Sequence, residues 1–497
     1  MRKIITYIVS ISLFLSTLTA CGDWLDETSS SEVREDEQFN SEVGFQQALL
    51  GCYIAMTKEN LYGRNLSWYI PDLLAQTYNA TASGRTYVFQ QYNFGNSRVS
   101  GIVEATWRDA YNVIANANNA LKFVEKNGSI LHPINHDMIK GELLAIRAFM
   151  HFELLRLYGH GDLAHRADKG TKLTIPYVTT VSKEMTPQET YSKIMATIIA
   201  ELKEAERLLE IDPITAKHPA SYYEIVNTDG FYNNRQMRLN YYAVRAILAR
   251  VYMWEGSVES LSSAKEILTG LIELNEERNL FKWTIDADMD RDPICSTEHL
   301  FALNPRQEEF FTTTMQYFKG EFVGTDYEVF YIREANLRTM YEFASGGNTD
   351  IRYVKLFYAN LSAACTPLKY APGLTTTLPK VAKVPLIRLP ELYYMAAECY
   401  GSGITPDYGK AKELLTTVRA TRGIVTDMTC NDRTSLLLEL KKEYQKEFVA
   451  EGHLFYFYKR TGEPIIMHPG GSEVTMNDAK YILPYPEYEI RSGRIQF

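Results

Sequence analysis

The stretch KGELLAIRAFMHFELLRLY, residues 140–158, carries two apolar stripes at helical spacing. One stripe consists of Leu143, Ile146, Met150, Leu154 and Leu157, and the other of Leu144, Ala148, Phe152 and Leu155. A helix that is apolar on two sides packs against neighbours on both of them. Gly159 and Gly161 follow at once and end the helix. The stretch therefore predicts a long helix inside a helical protein.

Further helices are predicted on both sides of this stretch. Glu42 to Met56 has a helical pattern, and from Trp107 the apolar residues Tyr111, Ile114, Leu121 and Val124 recur at helical spacing. Thr186-Pro187-Gln188-Glu189 has the form of a helix start, with Thr186 as N-cap and Pro187 at the first helical position. We therefore expect an all-α fold.

Two later segments resemble each other. Ala249 precedes Tyr252 by three residues, a Gly256 turn follows, and Ala264 lies on the next helix. The second segment has Ala397 and Tyr400, then glycines, then Ala411. Small residues at these places let two antiparallel helices approach closely, as in tetratricopeptide repeats. The Trp-x-x-Leu-Gly part of that pattern is absent, so two ordinary helical hairpins remain the alternative.

The charge balance excludes one class of partner. The 497 residues have a net charge of −9, and removal of residues 1–20 lowers it to −11 because Arg2 and Lys3 are lost with no acidic residue. Nucleic-acid binding draws on clustered Lys and Arg. We therefore expect no nucleic-acid partner.

The six cysteines form neither a disulfide framework nor a zinc motif. They are widely spaced and contain no Cys-x-x-Cys pair. Cys52 and Cys399 lie in helical patterns, where cysteine behaves as a small apolar residue.

The N-terminus has the anatomy of a secretory signal with a cysteine at the cut. Arg2 and Lys3 start it, an apolar run follows, and Leu18-Thr19-Ala20-Cys21 resembles a bacterial lipobox. We predict a lipoprotein signal peptide at 1–20, lipidation of Cys21 and a lipidated acidic tether at 21–40. Residues 41–497 would form a single domain with loop-rich insertions at about 65–100 and 276–390. An uncleaved transmembrane helix, or a signal peptide with a chance cysteine, is the alternative.

Motifs of enzyme chemistry are missing. The chain has no His-Glu-x-x-His, Gly-x-Ser-x-Gly, Walker loop or Gly-x-Gly-x-x-Gly. His160 and His165 follow a helix end near Asp162, where a solvated turn explains them better than a metal. We predict a protein that is not an enzyme and has neither a metal nor another cofactor.

Nine segments together resemble the SusD/RagB family of nutrient-binding outer-membrane lipoproteins of Bacteroidetes. The segments are Cys21–Asp26, Trp107–Asn116, Glu142–Tyr158, Tyr241–Tyr252, Pro385–Tyr393, Val418–Gly423, Glu443–Phe455, Lys459–Gly462 and Tyr481–Ile490. One departure is Lys441-Lys442-Glu443-Tyr444, where the family commonly has Arg-Arg or Glu-Arg before its last long helix motif. The resemblance implies an all-α superhelix of tetratricopeptide-like units with a loop-rich half that holds the ligand.

The resemblance also implies a function and a partner. The protein would capture a glycan at the outer membrane, facing the cell exterior, and deliver it to a SusC-like TonB-dependent transporter. Peptide capture, as in RagB-like proteins, is the alternative within the same architecture. A helical-repeat envelope scaffold without a small ligand is the alternative of another class.

Candidate ligand-binding residues lie in two irregular regions. A pyranose needs flat aromatic rings for its C–H faces and polar groups for its hydroxyls. The first region has this mixture and corresponds in order to a ligand-contacting loop of the family; its candidates are Tyr78, Asn79, Arg85, Tyr87, Tyr92 and Asn93. The second region is rich in aromatics, and its candidates are Trp283, Tyr317, Tyr327 and Tyr331. For each residue alone, core packing remains open.

Overall fold

The structure, a computed structural model, describes residues 37–79, 84–319, 329–360, 362–371, 382–468 and 471–495. Within these ranges the chain is mainly helical, and the predicted all-α class is confirmed. The helices up to residue 208 are α1 (Glu42–Met56), α2 (Ile70–Leu74), α3 (Arg85–Gln90), α4 (Ser100–Asn127), α5 (Pro133–Tyr158) and α6 (Tyr191–Leu208).

The remaining helices are shorter on average. They are α7 (Tyr241–Glu255), α8 (Val258–Arg278), α9 (Asp286–Met289), α10 (Gln307–Phe318), α11 (Glu334–Met340), α12 (Ile351–Lys355), α13 (Leu389–Tyr400), α14 (Tyr408–Thr421), α15 (Arg433–Glu447), α16 (His453–Thr461), α17 (Asp478–Tyr481) and α18 (Glu487–Arg491).

The strands are short and pair antiparallel in small sheets. They are β1 (Leu173–Pro176), β2 (Gln188–Thr190), β3 (His299–Leu303), β4 (Ile332–Arg333), β5 (Phe357–Ala359), β6 (Ala364–Pro367), β7 (Val384–Arg388), β8 (Ile465–Met467) and β9 (Glu473–Thr475). Their pairs are β1 with β2, β3 with β7, β6 between β4 and β5, and β8 with β9.

Helix α5 lies at the centre of the helical array. Both of its apolar stripes are buried, because α4 packs on one side and α6 on the other. His132 caps its N-terminus and Pro133 takes the first helical position, where a missing N–H costs nothing. The helix ends at Tyr158 as predicted, and a Cβ at Gly159 would lie 2.6 Å from the Leu155 carbonyl oxygen.

The two predicted helix pairs also form. Helix α7 packs on α8, α13 packs on α14, and α8 packs on α13 to join the pairs. Ala249, Ala264, Ala397 and Ala411 are all fully buried, as close helix approach requires. The tetratricopeptide-like arrangement is therefore confirmed.

One predicted helix start is wrong. Helix α6 begins at Tyr191 with Thr190 as its N-cap, not at Pro187 with Thr186 as N-cap. Gln188–Thr190 instead forms β2, and the Gln188 side-chain amide donates to the Thr174 carbonyl at 2.6 Å. Pairing with β1 therefore overrides the local capping signal.

The start of the first irregular region belongs to the core. Residues 61–76 are buried throughout, although their sequence lacks a helical period. They contain a π-helical turn, Asn65–Tyr69, and the short helix α2. Irregular sequence here does not mean exposed sequence.

A buried ionic cluster joins the C-terminal helices to β7 and α12. Glu447 accepts hydrogen bonds from Arg388 at 2.7 Å, from Arg422 at 2.9 Å and from Arg352 at 2.8 Å. Glu298 accepts two more from Arg422, at 2.8 and 2.9 Å. These five side chains are at most 2% exposed, so solvent and salt screen their charges much less than at the surface.

Membrane spans and disulfides are both missing from the described residues. None of the described helices is long and apolar enough to cross a bilayer. Cys52, Cys295, Cys365, Cys399 and Cys430 are buried free thiols. The predicted lipidation site Cys21 lies outside the described residues.

Candidate functional site

A cleft of about 880 Å³ opens between the end of α5, strand β1, the segment after α3 and the C-terminal segment. We call it the Tyr92 cleft. Its aromatic and aliphatic lining consists of Tyr92, Phe94, Tyr158, Leu173, Tyr191, Ile482, Leu483, Pro484, Tyr485 and Ile490. Its polar lining consists of Asn93, His160, Thr171, Lys172 and Asp478. The volume falls in the range of small-molecule sites.

The Tyr92 segment reaches the cleft because α3 ends in a sharp turn. Tyr92 has φ +55°, the left-handed conformation that stops the helix, and Asn93 follows it as an exposed residue. The Tyr92 hydroxyl donates to the Leu74 carbonyl at 2.7 Å and accepts from the Gln76 amide at 3.1 Å. These two bonds fix the hydroxyl end of the side chain, and Tyr92 lines the cleft.

The C-terminal segment forms another wall of the cleft, and contacts with α4 and α5 hold it in place. The Leu483 amide donates to the Leu157 carbonyl at 3.1 Å. The Trp107 indole donates to the Glu489 carboxylate at 3.3 Å. Residues almost 400 positions apart in sequence thus form one cavity.

A polar cluster includes two of the cleft-lining residues, His160 and Asp478. The Arg166 guanidinium pairs with Asp478 and lies 2.9 Å from Nδ1 of His160. The hydrogen bond from Arg166 holds the pKa of Asp478 below its usual range. Burial, together with the charge of Arg166, lowers the pKa of His160 to about 4, so His160 is neutral at pH 7.

Two of the predicted site residues line this cleft: Tyr92 and Asn93. Asn79 and Tyr331, predicted from different regions, do meet, because the Asn79 amide donates to the Tyr331 carbonyl at 2.8 Å. This contact bridges the two irregular regions through the backbone. It lies outside the lining of the Tyr92 cleft.

Tyr78 and Tyr317 require a correction, since both are core residues. They are 0% and 1% exposed, and each packs on Phe330, with ring centroids 4.5 and 5.4 Å apart. The Tyr78 hydroxyl is already engaged, donating to Asp72 at 2.8 Å. A ligand could touch neither ring without opening the core.

Three other predicted residues lie near the surface but outside the cleft lining. Arg85 opens α3, and Tyr87 on the same helix is 36% exposed. Trp283 is half-buried, with its ring 5.2 Å from that of Tyr393 and 5.6 Å from the Arg422 guanidinium. Tyr327 lies outside the described residues.

The sequence-based prediction missed the C-terminal wall and the end of α5. Tyr481–Ile490 shares its dense tyrosines with the first candidate region, and this signal could have identified it. His160, interpreted as part of a solvated turn, lies in the cleft because Gly159 and Gly161 turn the chain there. No group of three His, Cys, Asp or Glu among the described residues is placed to hold a metal.

The sequence is similar to a known family over its N-terminal part. Residues 23–253 match the SusD-like family described as starch-binding and associating with the outer membrane. SusD-like protein P2 of Formosa agariphila is 27% identical over 157 residues, which are 31% of this chain and 30% of that protein. The alignment thus spans less than a third of that relative's length.

The fold is similar to solved structures over almost the whole chain. A SusD superfamily protein from Bacteroides thetaiotaomicron superposes with a TM-score of 0.72 at 22% identity, covering 92% of this chain and 99% of that one. A SusD-like carbohydrate binding protein from Bacteroides vulgatus superposes with a TM-score of 0.68 at 15% identity, covering 91% and 96%. At these identities the likeness concerns the fold.

Proposed function

We propose that the chain is a SusD-like protein that captures an oligosaccharide in the Tyr92 cleft. Residues 23–253 match the SusD-like family, and 92% of the chain superposes on a SusD superfamily structure. Capture takes place at the outer membrane, and the ligand passes to a SusC-like TonB-dependent transporter. The protein binds its ligand and does not convert it.

One observation carries this proposal: the cleft combines aromatic rings with exposed polar groups, and its volume is suitable for a small ligand. Tyr92 and Tyr485 present half-buried rings, and Asn93 and Thr171 are exposed polar neighbours. Rings of this kind cover the C–H faces of a sugar, while amides and hydroxyls bond its hydroxyl groups. An extended peptide would instead need free backbone groups along the walls.

Removal of either predicted cleft residue should weaken oligosaccharide binding. We expect Tyr92→Ala and Asn93→Ala each to raise the Kd at least about fivefold, since a stacking contact or a hydrogen bond contributes about 1 kcal/mol. Isothermal titration calorimetry measures this, with the bound oligosaccharide first chosen from a panel of host and plant glycans by its shift of the melting temperature.

Tyr358→Ala is the matched control, because Tyr358 is a 40% exposed tyrosine on β5, outside the cleft lining. Tyr92→Ala also removes the hydrogen bond to the Leu74 carbonyl and could disturb the fold. Asn93→Ala does not carry this risk, because the Asn93 side chain is exposed. If both cleft variants bound the oligosaccharide with wild-type affinity, the binding site would lie outside the Tyr92 cleft. A wild-type protein that binds peptides and no glycan would replace the proposed ligand class.

We also propose that Cys21 carries the lipid that attaches the protein to the outer membrane. Acylation of a mature N-terminal cysteine by two or more chains gives a stable anchor, whereas one chain gives marginal binding. Cys21→Ala should therefore leave the protein out of the outer-membrane fraction, while Cys430→Ala, in the folded body, should not. Mass spectrometry should find acylated Cys21 as the first residue; an unmodified Cys21 in membrane-bound protein would contradict the proposal.

A further inference from the structure

The Tyr92 cleft contains one uncommitted charge, that of Lys172. Lys172 is exposed and lines the cleft just before β1. Among the described residues, no carboxylate lies within 4.0 Å of its ammonium group. Its charge is available to a ligand.

The acidic residues near the cleft are already engaged. Asp478, the one carboxylate in the described lining, is paired with Arg166 and lies 3.4 Å from His160. Asp168 also faces Arg166, at 4.0 Å. Arg166 therefore largely compensates the negative charge that Asp478 would present to a ligand in the cleft.

A second lysine lies beside the Tyr92 wall. The Lys480 ammonium is 5.5 Å from the centroid of the Tyr92 ring and donates to the Thr475 carbonyl at 2.6 Å. No carboxylate among the described residues pairs with it. A hydrogen bond to a neutral carbonyl leaves its charge uncompensated.

The positive excess in the cleft opposes the net charge of the whole chain, which is −9. Complementary local charge selects a ligand of opposite sign and disfavours one of like sign. We propose that the Tyr92 cleft selects oligosaccharides that carry an acidic group, a carboxylate or a sulfate ester, with Lys172 as the partner of that group. This inference rests on the proposed function.

Matched pairs of saccharides test the inference. Oligogalacturonates are compared with their methyl esters, and κ-carrageenan oligosaccharides with their desulfated forms, by isothermal titration calorimetry. We expect at least one acidic member to bind more tightly than its neutral counterpart. We expect Lys172→Gln to weaken that binding about tenfold, as the loss of one charge-assisted hydrogen bond does. A difference within the oligogalacturonate pair identifies the acidic group as a carboxylate, and a difference within the carrageenan pair identifies it as a sulfate ester.

Lys122→Gln is the control, since it removes one charge from an exposed lysine on α4, outside the cleft. Binding of neutral saccharides equal to or tighter than that of acidic ones, or no effect of Lys172→Gln on an acidic ligand, would overturn the inference while leaving glycan capture intact. Binding of no saccharide in these pairs or in the wider glycan panel would overturn the proposed function together with it.

Discussion

Replacement of Glu447 by glutamine should lower the free energy of unfolding by about 3–5 kcal/mol, the cost of breaking a buried ion pair on one side. Glu447 is 2% exposed and accepts hydrogen bonds from Arg352, Arg388 and Arg422. Glutamine keeps the shape but removes the charge, and its amide NH₂ group points a donor at guanidinium donors. Each of the three arginines then loses one charged acceptor and faces a neutral amide in its place.

The ionisation of Glu447 supports this expectation. Burial acts to raise its pKa, but the charges of Arg422, Arg388 and Arg352 hold the pKa well below the usual range. The carboxylate is therefore charged in the folded protein at any pH near neutrality. The loss of this negative charge cannot be compensated by proton release from the arginines, because arginine does not deprotonate in proteins.

Urea denaturation at pH 7 measures the effect. Glu413→Gln is the control, because Glu413 pairs with Lys410 on the surface of α14 and exposed pairs contribute about 1 kcal/mol or less. If Glu447→Gln changed the free energy of unfolding no more than Glu413→Gln does, the cluster would not support the fold.

Two buried histidines should make the protein less stable as the pH falls from 7 to 5. Burial lowers the pKa of His151 to about 3 and that of His299 to about 3. His151 accepts from the Val178 amide at 2.9 Å and donates to the Arg147 carbonyl at 2.8 Å, a pattern that fits the neutral ring. His299 lies against the Ile294 carbonyl at 2.8 Å.

The sign follows from proton binding. An unfolded chain binds a proton on each histidine near pH 6.5, whereas the folded protein does not until about pH 3. The stabilisation is therefore complete above pH 6.5 and is lost as the pH falls below that value. At pH 5 the loss is about 2 kcal/mol for each histidine.

Other groups titrate in the same range, so variants isolate these two histidines. Burial raises the pKa of Asp72 to about 7, which acts in the opposite direction and stabilises the fold on acidification. His151→Gln keeps one donor and one acceptor but cannot gain a proton. We expect it to reduce the stability lost between pH 7 and 5 by about 2 kcal/mol, and His151→Gln with His299→Gln by about 4 kcal/mol.

Urea denaturation at both pH values gives these differences whatever the stability of each variant at pH 7. His165→Gln is the control, since it removes one exposed histidine and leaves both buried rings in place. A pH dependence that is the same in wild type and in the double variant would contradict the assignment of neutral buried rings.

Local sequence was sufficient for most helices but not for the ligand site. The stripes of residues 140–158 predict α5 because helical period is a property of neighbouring residues. Tyr78 and Tyr92, in contrast, stand in equally irregular sequence, yet one is in the core and the other forms a cleft wall. Their difference depends on Phe330 and Leu483, which are hundreds of residues away in sequence.

The prediction for Thr186 failed for a related reason. A capping signal contributes about 1 kcal/mol and acts only on its own turn. Strand β1, which pairs with residues 188–190, supplies backbone hydrogen bonds and a side-chain bond to Gln188. Strand pairing with β1 therefore overrides the local capping pattern at Thr186.

The amino-acid sequence thus specified the helical class, the helix pairs with their alanines, the acidic charge and the family resemblance, since each depends on residue identity or short-range spacing. Only folding decided which tyrosines are buried, where α6 begins and that residues 92, 160 and 485 share a cleft. The physical reason is that an aromatic side chain without a periodic neighbourhood is buried or exposed according to the distant segments that pack on it.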